Sequence, residues 1–259
     1  MTENEFVNLY WKQYIMLEKE FRKTVKYVAL DSINFETYSD AYVKLLIQIG
    51  SEVDIVSKAL CKEINTASNA HNISQYQPEI ISKFPDFYDV IVRSEVTDLK
   101  PWDSWRQQLS PFWWGKYNAV KHNRNDKEDG VKENYKYANL QNTINALAGL
   151  YQMEMYLYSV ILHKPSVETP LPGSRLFTLD KCGWETMHFG TDSLTYGKDG
   201  CLYFEDAFGA RNRQCHSGNS QSMLQQEPPC CSNWSSGGSS RGPGTRGKIG
   251  VRGETEQSA

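Results

Sequence analysis

The sequence predicts a mainly α protein: an antiparallel helical bundle with a small β appendage and a disordered, flexible C-terminal tail. Three observations carry that expectation. Apolar residues recur three and four apart through most of residues 1–165, which is the period of helices with one buried face. The period stops at Pro165, and short runs rich in β-branched and aromatic residues then alternate with Gly and Asp. Beyond about Gly209 apolar residues thin out into SSGGSSRGPGTRGKIGVRGETEQSA, a composition that buries too little surface to fold. The chain therefore divides into a helical domain at 1–165, a β-rich appendage at 166–208 and a tail at 209–259.

Thr2 and Glu5 have capping-box spacing, and Phe6, Leu9, Tyr10, Leu17, Phe21, Val25 and Val28 follow on one helical face, which predicts a first helix over about 3–29. Tyr42, Leu45, Ile49, Val53, Val56, Leu60 and Ile64 predict a second over 39–66, antiparallel to the first, with Gly50 its weak spot. Ser74 and Gln77 suggest a cap before a short helix that Pro85 ends. The run FYDVIVRSEV at 87–96 reads as a short strand. Ser110 before Pro111 predicts the start of a Trp-rich helix reaching Arg124. Leu140, Ile144, Leu147, Tyr151, Tyr158 and Ile161 predict a closing helix over 133–163. Past Pro165, SRLFTLD, ETMHFG, SLTYG and CLYFED read as short strands.

The formal charge is −3 over 259 residues. Residues 209–259 hold six Arg or Lys against three Glu, a net +3, which leaves −6 on residues 1–208. An acidic body disfavours broad nonspecific binding of nucleic acid and confines any such contact to a local patch. The start, MTENEFVNLYWKQ, has no basic segment followed by an apolar one, and no run approaches membrane-spanning length. The expectation is a soluble, cytoplasmic protein. Six cysteines, five of them irregularly spaced after residue 181, make no disulfide framework. There is no C-x-x-C pair, and Cys182 with His188 lacks a second pair, so no zinc site is expected. No Glu-x-x-His pair suggests a metal centre between helices either.

The stretch most able to carry chemistry is PWDSWRQQLSPFWWGKYNAVKHNR, residues 101–124, with four of the seven tryptophans. On a helix from Pro111, Trp113, Tyr117 and Val120 share one face, while Trp114, Asn118, Lys121 and His122 lie on an adjoining one. Asn118 and His122 are one turn apart, and Lys116 and Arg124 flank them. A phosphate there would meet cations, an orienting amide and a histidine able to move a proton. The chemistry that fits is metal-free transfer at an RNA phosphate, with the 2′-hydroxyl as nucleophile and His122 as acid or base. The plain alternative is the solvent face of an amphipathic helix. Trp102, Trp105 and Trp113 read as core, and Trp114 is kept as a contact candidate.

The segment PFWWGKYNAVKHNR, preceded by PWDSW and followed by a long helix containing YANLQNTINALAGLY, resembles the HEPN-like proteins (higher eukaryotes and prokaryotes nucleotide-binding). These are all-α bundles, many of them RNases of toxin–antitoxin and phage-defence systems. The resemblance covers residues 1–163 as architecture and 113–124 as motif. The family's signature is an arginine, often followed by a polar residue, and a histidine after four to six intervening positions. His122 matches the histidine and Asn118 resembles the polar position. Lys116 stands in place of the arginine, with five residues between it and His122, and Arg124 lies on the far side. Lysine is a point charge that lacks the bidentate grip of a guanidinium on phosphate.

The resemblance implies a metal-independent endoribonuclease with His122, Asn118 and Lys116 as catalytic residues. Lys121, Arg124 and Trp114 would contact RNA or a nucleotide phosphate. It also implies no cofactor, a homodimer in which the motif helices of two subunits build one cleft, and an antitoxin partner. The competing expectation is a noncatalytic module whose aromatic helix packs in a dimer or on another protein.

Overall fold

A computed structural model describes residues 1–127, 129–181 and 184, together with the backbone of strands at 195–196, 202–205 and 211–214. The chain separates into two compact units, Met1–Gly218 and Asn219–Ala259, and every described residue belongs to the first. The segment ETMHFG, the five cysteines after residue 181, His188 and all of the tail beyond residue 214 lie outside the described residues.

The fold is mainly helical. Thr2 and Glu5 form the expected capping box at the start of α1 (Glu3–Phe6). A π-helical turn, Val7–Trp11, then leads into α2 (Lys12–Thr24). That turn revises the expected apolar face. One extra residue in the turn puts Phe6 and Trp11, five apart, on the same side, and Trp11 and Tyr14 are buried while Leu9 stays exposed. The Trp11 indole donates to the Pro172 carbonyl at 3.0 Å and the Tyr14 hydroxyl to Glu18 at 2.7 Å. The buried Glu18 carboxylate also accepts from the Arg175 amide at 2.7 Å, which satisfies a charge that would otherwise be costly inside.

Helix α3 (Asp40–Ile64) is capped by Ser39, whose side chain accepts from the Tyr42 amide. It runs antiparallel to α1 and α2: the Met1 ammonium pairs with Glu63 at its end, and Phe21 packs on Tyr42 near its start. Helix α4 (Ile73–Lys83) is capped by Asn72 rather than Ser74. Gln77 instead turns inward and donates to the Trp105 carbonyl at 2.8 Å. The segment read as one strand splits into a 3₁₀ turn, Phe87–Asp89, and strand β1 (Ile91–Arg93). β1 lies between β2 (Asp98–Leu99) and β3 (Thr178–Asp180) in an antiparallel sheet, with Val92 opposite both Leu99 and Leu179. Arg93 ties the edges together through Asp98 at 2.7 Å and Asp180 at 2.5 Å. Strands β4 (Thr195–Tyr196), β5 (Leu202–Glu205) and β6 (Arg211–Gln214) form a second antiparallel sheet in that order.

Helix α5 (Phe112–His122) is followed by a 3₁₀ turn, Asn134–Tyr137, and by α6 (Leu140–Ile161). α6 starts later than its apolar period suggested because Asn139 caps it, accepting from the Asn142 amide at 2.9 Å. A bridge between Tyr38 and Asn139 sets the starts of α3 and α6 side by side. The two helices pack against each other and run the same way, so the antiparallel relation holds for α2 and α3 and not for α3 and α6. Among the described residues no helix is long and apolar enough to cross a membrane.

α6 is the central helix, buried along almost its whole length. Its polar side chains are mostly answered locally: Asn142 donates to the Tyr137 carbonyl at 2.8 Å and Gln152 to the Phe87 carbonyl at 2.6 Å. Gln152 Oε1 and the Tyr156 hydroxyl find no partner among the described residues, and neither does Oε2 of the carboxyl of Glu154, which is 1% exposed. Burial, and secondarily the nearby Glu52 carboxylate, push its pKa well above the ordinary range. A carboxyl whose folded pKa is raised contributes stability below its unfolded pKa and loses it as pH rises toward the folded value. The Glu154→Gln variant is therefore expected to gain on the parent as pH rises from about 5 to about 8, read as the difference in urea midpoint. A gap that does not widen contradicts a buried neutral acid at this position.

Gly50 on α3 is where α5 comes closest. A Cβ there would sit 2.4–2.6 Å from the Tyr117 ring, a distance no side chain tolerates. Gly50→Ala is expected to destabilise by about 1–3 kcal/mol through overpacking, despite the gain of about 1 kcal/mol that alanine brings to an unhindered helix. A raised urea midpoint would show that Tyr117 is not seated on this glycine.

Candidate functional site

Helix α5 is fixed by its aromatic side. Ser110 makes no capping bond; Pro111 occupies the cap position, in extended conformation. Trp113 is fully buried and donates to the Pro101 carbonyl at 2.9 Å, and Trp102 donates to the Gly149 carbonyl of α6 at 3.2 Å. The two indoles meet edge to face at 5.4 Å, and Trp102 packs on Trp105 at 4.4 Å. These three tryptophans are core. Trp114, kept as a contact candidate, also lies inside: it is 8% exposed, with its ring 4.9 Å from Tyr117 and 5.8 Å from Trp113.

The opposite side of α5 faces solvent. Phe112 is 46% exposed, Gly115 and His122 are exposed, and Asn118 is half-buried. Asn118 and His122 thus share the outward face as the spacing predicts, one turn apart. Lys116 does not join them. It precedes His122 by six residues, about 240° round the helix and about 9 Å along it, and its ammonium sits 3.8 Å from the centroid of the Tyr137 ring. Lys132 approaches the same ring at 4.5 Å and pairs with Glu36 at 2.8 Å. Lys121 folds back to donate to the Tyr117 hydroxyl at 3.0 Å.

Arg124 lies just past the helix in a turn that is firmly held. The buried Asn134 side chain donates to the Asn123 carbonyl at 2.8 Å, the Asn134 amide to the Asp126 carbonyl at 2.8 Å, and the Tyr135 amide to the Arg124 carbonyl at 3.0 Å. The cations that follow have a carboxylate partner: Lys127 and Lys136 both pair with Glu133, at 3.4 and 2.7 Å. Those contacts, the Lys136 hydrogen bond foremost, hold the Glu133 carboxyl down to about 2. Arg93 and Arg106 each reach two carboxylates, whereas the Arg124 guanidinium reaches none among the described residues. Arg124 lines a shallow depression of about 470 Å3 with Asp40, Val43, Lys44, Ile47 and Gln48 of α3.

The arrangement therefore offers a histidine and an amide on an open helix face, with one unpaired guanidinium two residues beyond. It suits the grip of an anion and transfer of a proton to or from it. Among the described residues, no three His, Cys, Asp or Glu side chains converge in a metal-holding group. The α3 residues beside Arg124 were missed in the sequence. Asp40, Lys44 and Gln48 do form a one-turn stripe, but nothing in the chain order pairs it with residue 124. Comparison with protein-family models, curated proteins and solved structures finds no match.

The Asn134 side chain is one of the contacts that hold the turn carrying Arg124. Asn134→Ala is expected to lower stability by about 0.5–1.5 kcal/mol, the net worth of the hydrogen bond it gives to the Asn123 carbonyl. It should also speed hydrogen exchange at residues 123–126. Unchanged exchange there would mean that the turn is held by other means.

Proposed function

We propose that the chain is a cytoplasmic helical protein of HEPN-like bundle design that binds RNA or a nucleotide phosphate on the outward face of α5. Its activity in this reading is metal-independent endoribonuclease cleavage of the toxin or defence type, with an antitoxin as partner. The observation that carries the reading is the pairing of Asn118 and His122 on that exposed face beside Arg124, the guanidinium with no carboxylate partner among the described residues. In cleavage His122 takes the proton of the 2′-hydroxyl, the hydroxyl oxygen bonds to the adjacent phosphorus, and the 5′-oxygen leaves with a proton from solvent. The products are a 2′,3′-cyclic phosphate and a 5′-hydroxyl. Asn118 orients the phosphate and Arg124 balances the charge that develops on it. Lys116, held over Tyr137, supports the helix rather than the reaction in this version of the site.

Gly115 supports a homodimer across the same face. A Cβ at Gly115 would meet nothing within 4 Å, so nothing described within the chain requires a residue that costs about 1 kcal/mol in a helix interior. Close approach of a second copy of α5 would require it. The exposed Phe112 one turn earlier favours the noncatalytic reading as well, in which this face serves association alone.

Cleavage of end-labelled RNA by the full chain in chelator, with and without His122→Ala, separates the two. The catalytic reading expects cleavage to fall about a hundred- to ten-thousandfold in the variant, with circular dichroism unchanged. Equal cleavage by both proteins, or none by the parent, removes catalysis and leaves association as the function of the face.

A further inference from the structure

We infer that the depression between α3 and Arg124 is a nucleotide subsite, in which Lys44 and Arg124 hold a phosphate, the Val43–Ile47 edge receives the base, and Gln48 and Asp40 meet base-edge and ribose groups. The inference rests on the reading of α5 as an RNA-binding face and says where the strand continues from it.

The scaffold brings these residues together by a chain of contacts. The Tyr135 amide holds the Arg124 carbonyl, and the Tyr135 ring meets Tyr38 edge to face at 5.9 Å. Tyr38 in turn bridges to Asn139 and immediately precedes Ser39, the cap of α3. The first turns of α3 and the turn carrying Arg124 are thus fixed to one anchor.

Its lining has the chemistry of one nucleotide. Lys44 forms no ion pair among the described residues; Glu20 lies close enough to feel its charge but accepts its hydrogen bond from Lys23 at 2.5 Å. Two cations without carboxylate partners therefore flank one hollow, in a body that is otherwise acidic. Val43 and Ile47 are half-buried and supply an apolar edge, as a base requires of the surface it lies on. Asp40, Lys44 and Gln48 are exposed and succeed one another by one turn, covering about 12 Å of helix. The Asp40 carboxylate repels phosphate and accepts from hydroxyls, so it belongs to the ribose end, where a carboxylate commonly meets the 2′-hydroxyl. The depression, about 470 Å3, is shallow and gives a nucleotide a surface to lie on rather than an enclosing cleft.

The test uses fluorescence anisotropy of the full chain with labelled A, C, G and U oligoribonucleotides, comparing the parent with Lys44→Ala, Gln48→Ala and the control Lys58→Ala elsewhere on α3. The subsite predicts that Lys44→Ala weakens binding about ten- to a hundredfold, the worth of one charge-assisted contact. Gln48→Ala should change the ranking among the four oligomers, and Lys58→Ala should do neither. Parent binding with Lys44→Ala and Gln48→Ala indistinguishable from it overturns the subsite while leaving the α5 face intact. No binding by the parent overturns both. All three positions are exposed, and a thermal melt of each variant confirms that the fold is kept.

Discussion

Two glycines decide where α5 lies. Gly50 on α3 admits the Tyr117 ring and leaves no room for a Cβ, and Gly149 on α6 admits Trp113, whose ring would sit 3.0 Å from a Cβ there. A buried aromatic ring removes roughly 150–250 Å2 from water, worth roughly 4–6 kcal/mol at about 25 cal/mol per Å2 as an upper estimate. The helix cost of each glycine is about 1 kcal/mol. Ring burial wins by a wide margin, and the glycines are sockets rather than weak points. Because both sockets lie beneath one side of α5, the rotation of the helix about its axis is fixed, and Phe112, Gly115, Asn118 and His122 are left outside.

That rotation separates residues that look equivalent in the motif. Lys116 and Lys121 carry the same charge as Arg124, but each is drawn to a tyrosine, Tyr137 and Tyr117 respectively. Lysines 127, 132 and 136 are answered by Glu133 and Glu36. Arg124 and, across the hollow, Lys44 are therefore the cations here with neither a carboxylate nor a tyrosine partner among the described residues.

Most of the helices are legible in the sequence because their apolar period is long and their caps are local. Thr2 with Glu5 follows from residues within a turn of each other, and the bounds of α3 follow from its apolar period. What is not legible depends on contacts between distant residues. The π-turn at Val7–Trp11 moves Leu9 out and Trp11 in, because Trp11 has a partner in the Pro172 carbonyl that no local pattern announces. Asn72 takes the cap assigned to Ser74 while Gln77 goes to Trp105. In the site, the Asn118 and His122 spacing is readable as one helix turn. The burial of Trp114, the diversion of Lys116 to Tyr137 and the meeting of Arg124 with α3 all require knowing which helix lies beside which.

The proposed function places RNA along the outward face of α5, and the proposed subsite continues it over the first turns of α3. The most direct measurement is ultraviolet crosslinking of the full chain to thiouridine-containing RNA, with the attached peptides identified by mass spectrometry. Crosslinks concentrated in residues 112–124 and 40–48 are the predicted result. Crosslinks confined to other surfaces, or none above those of an unrelated acidic protein, would contradict the account.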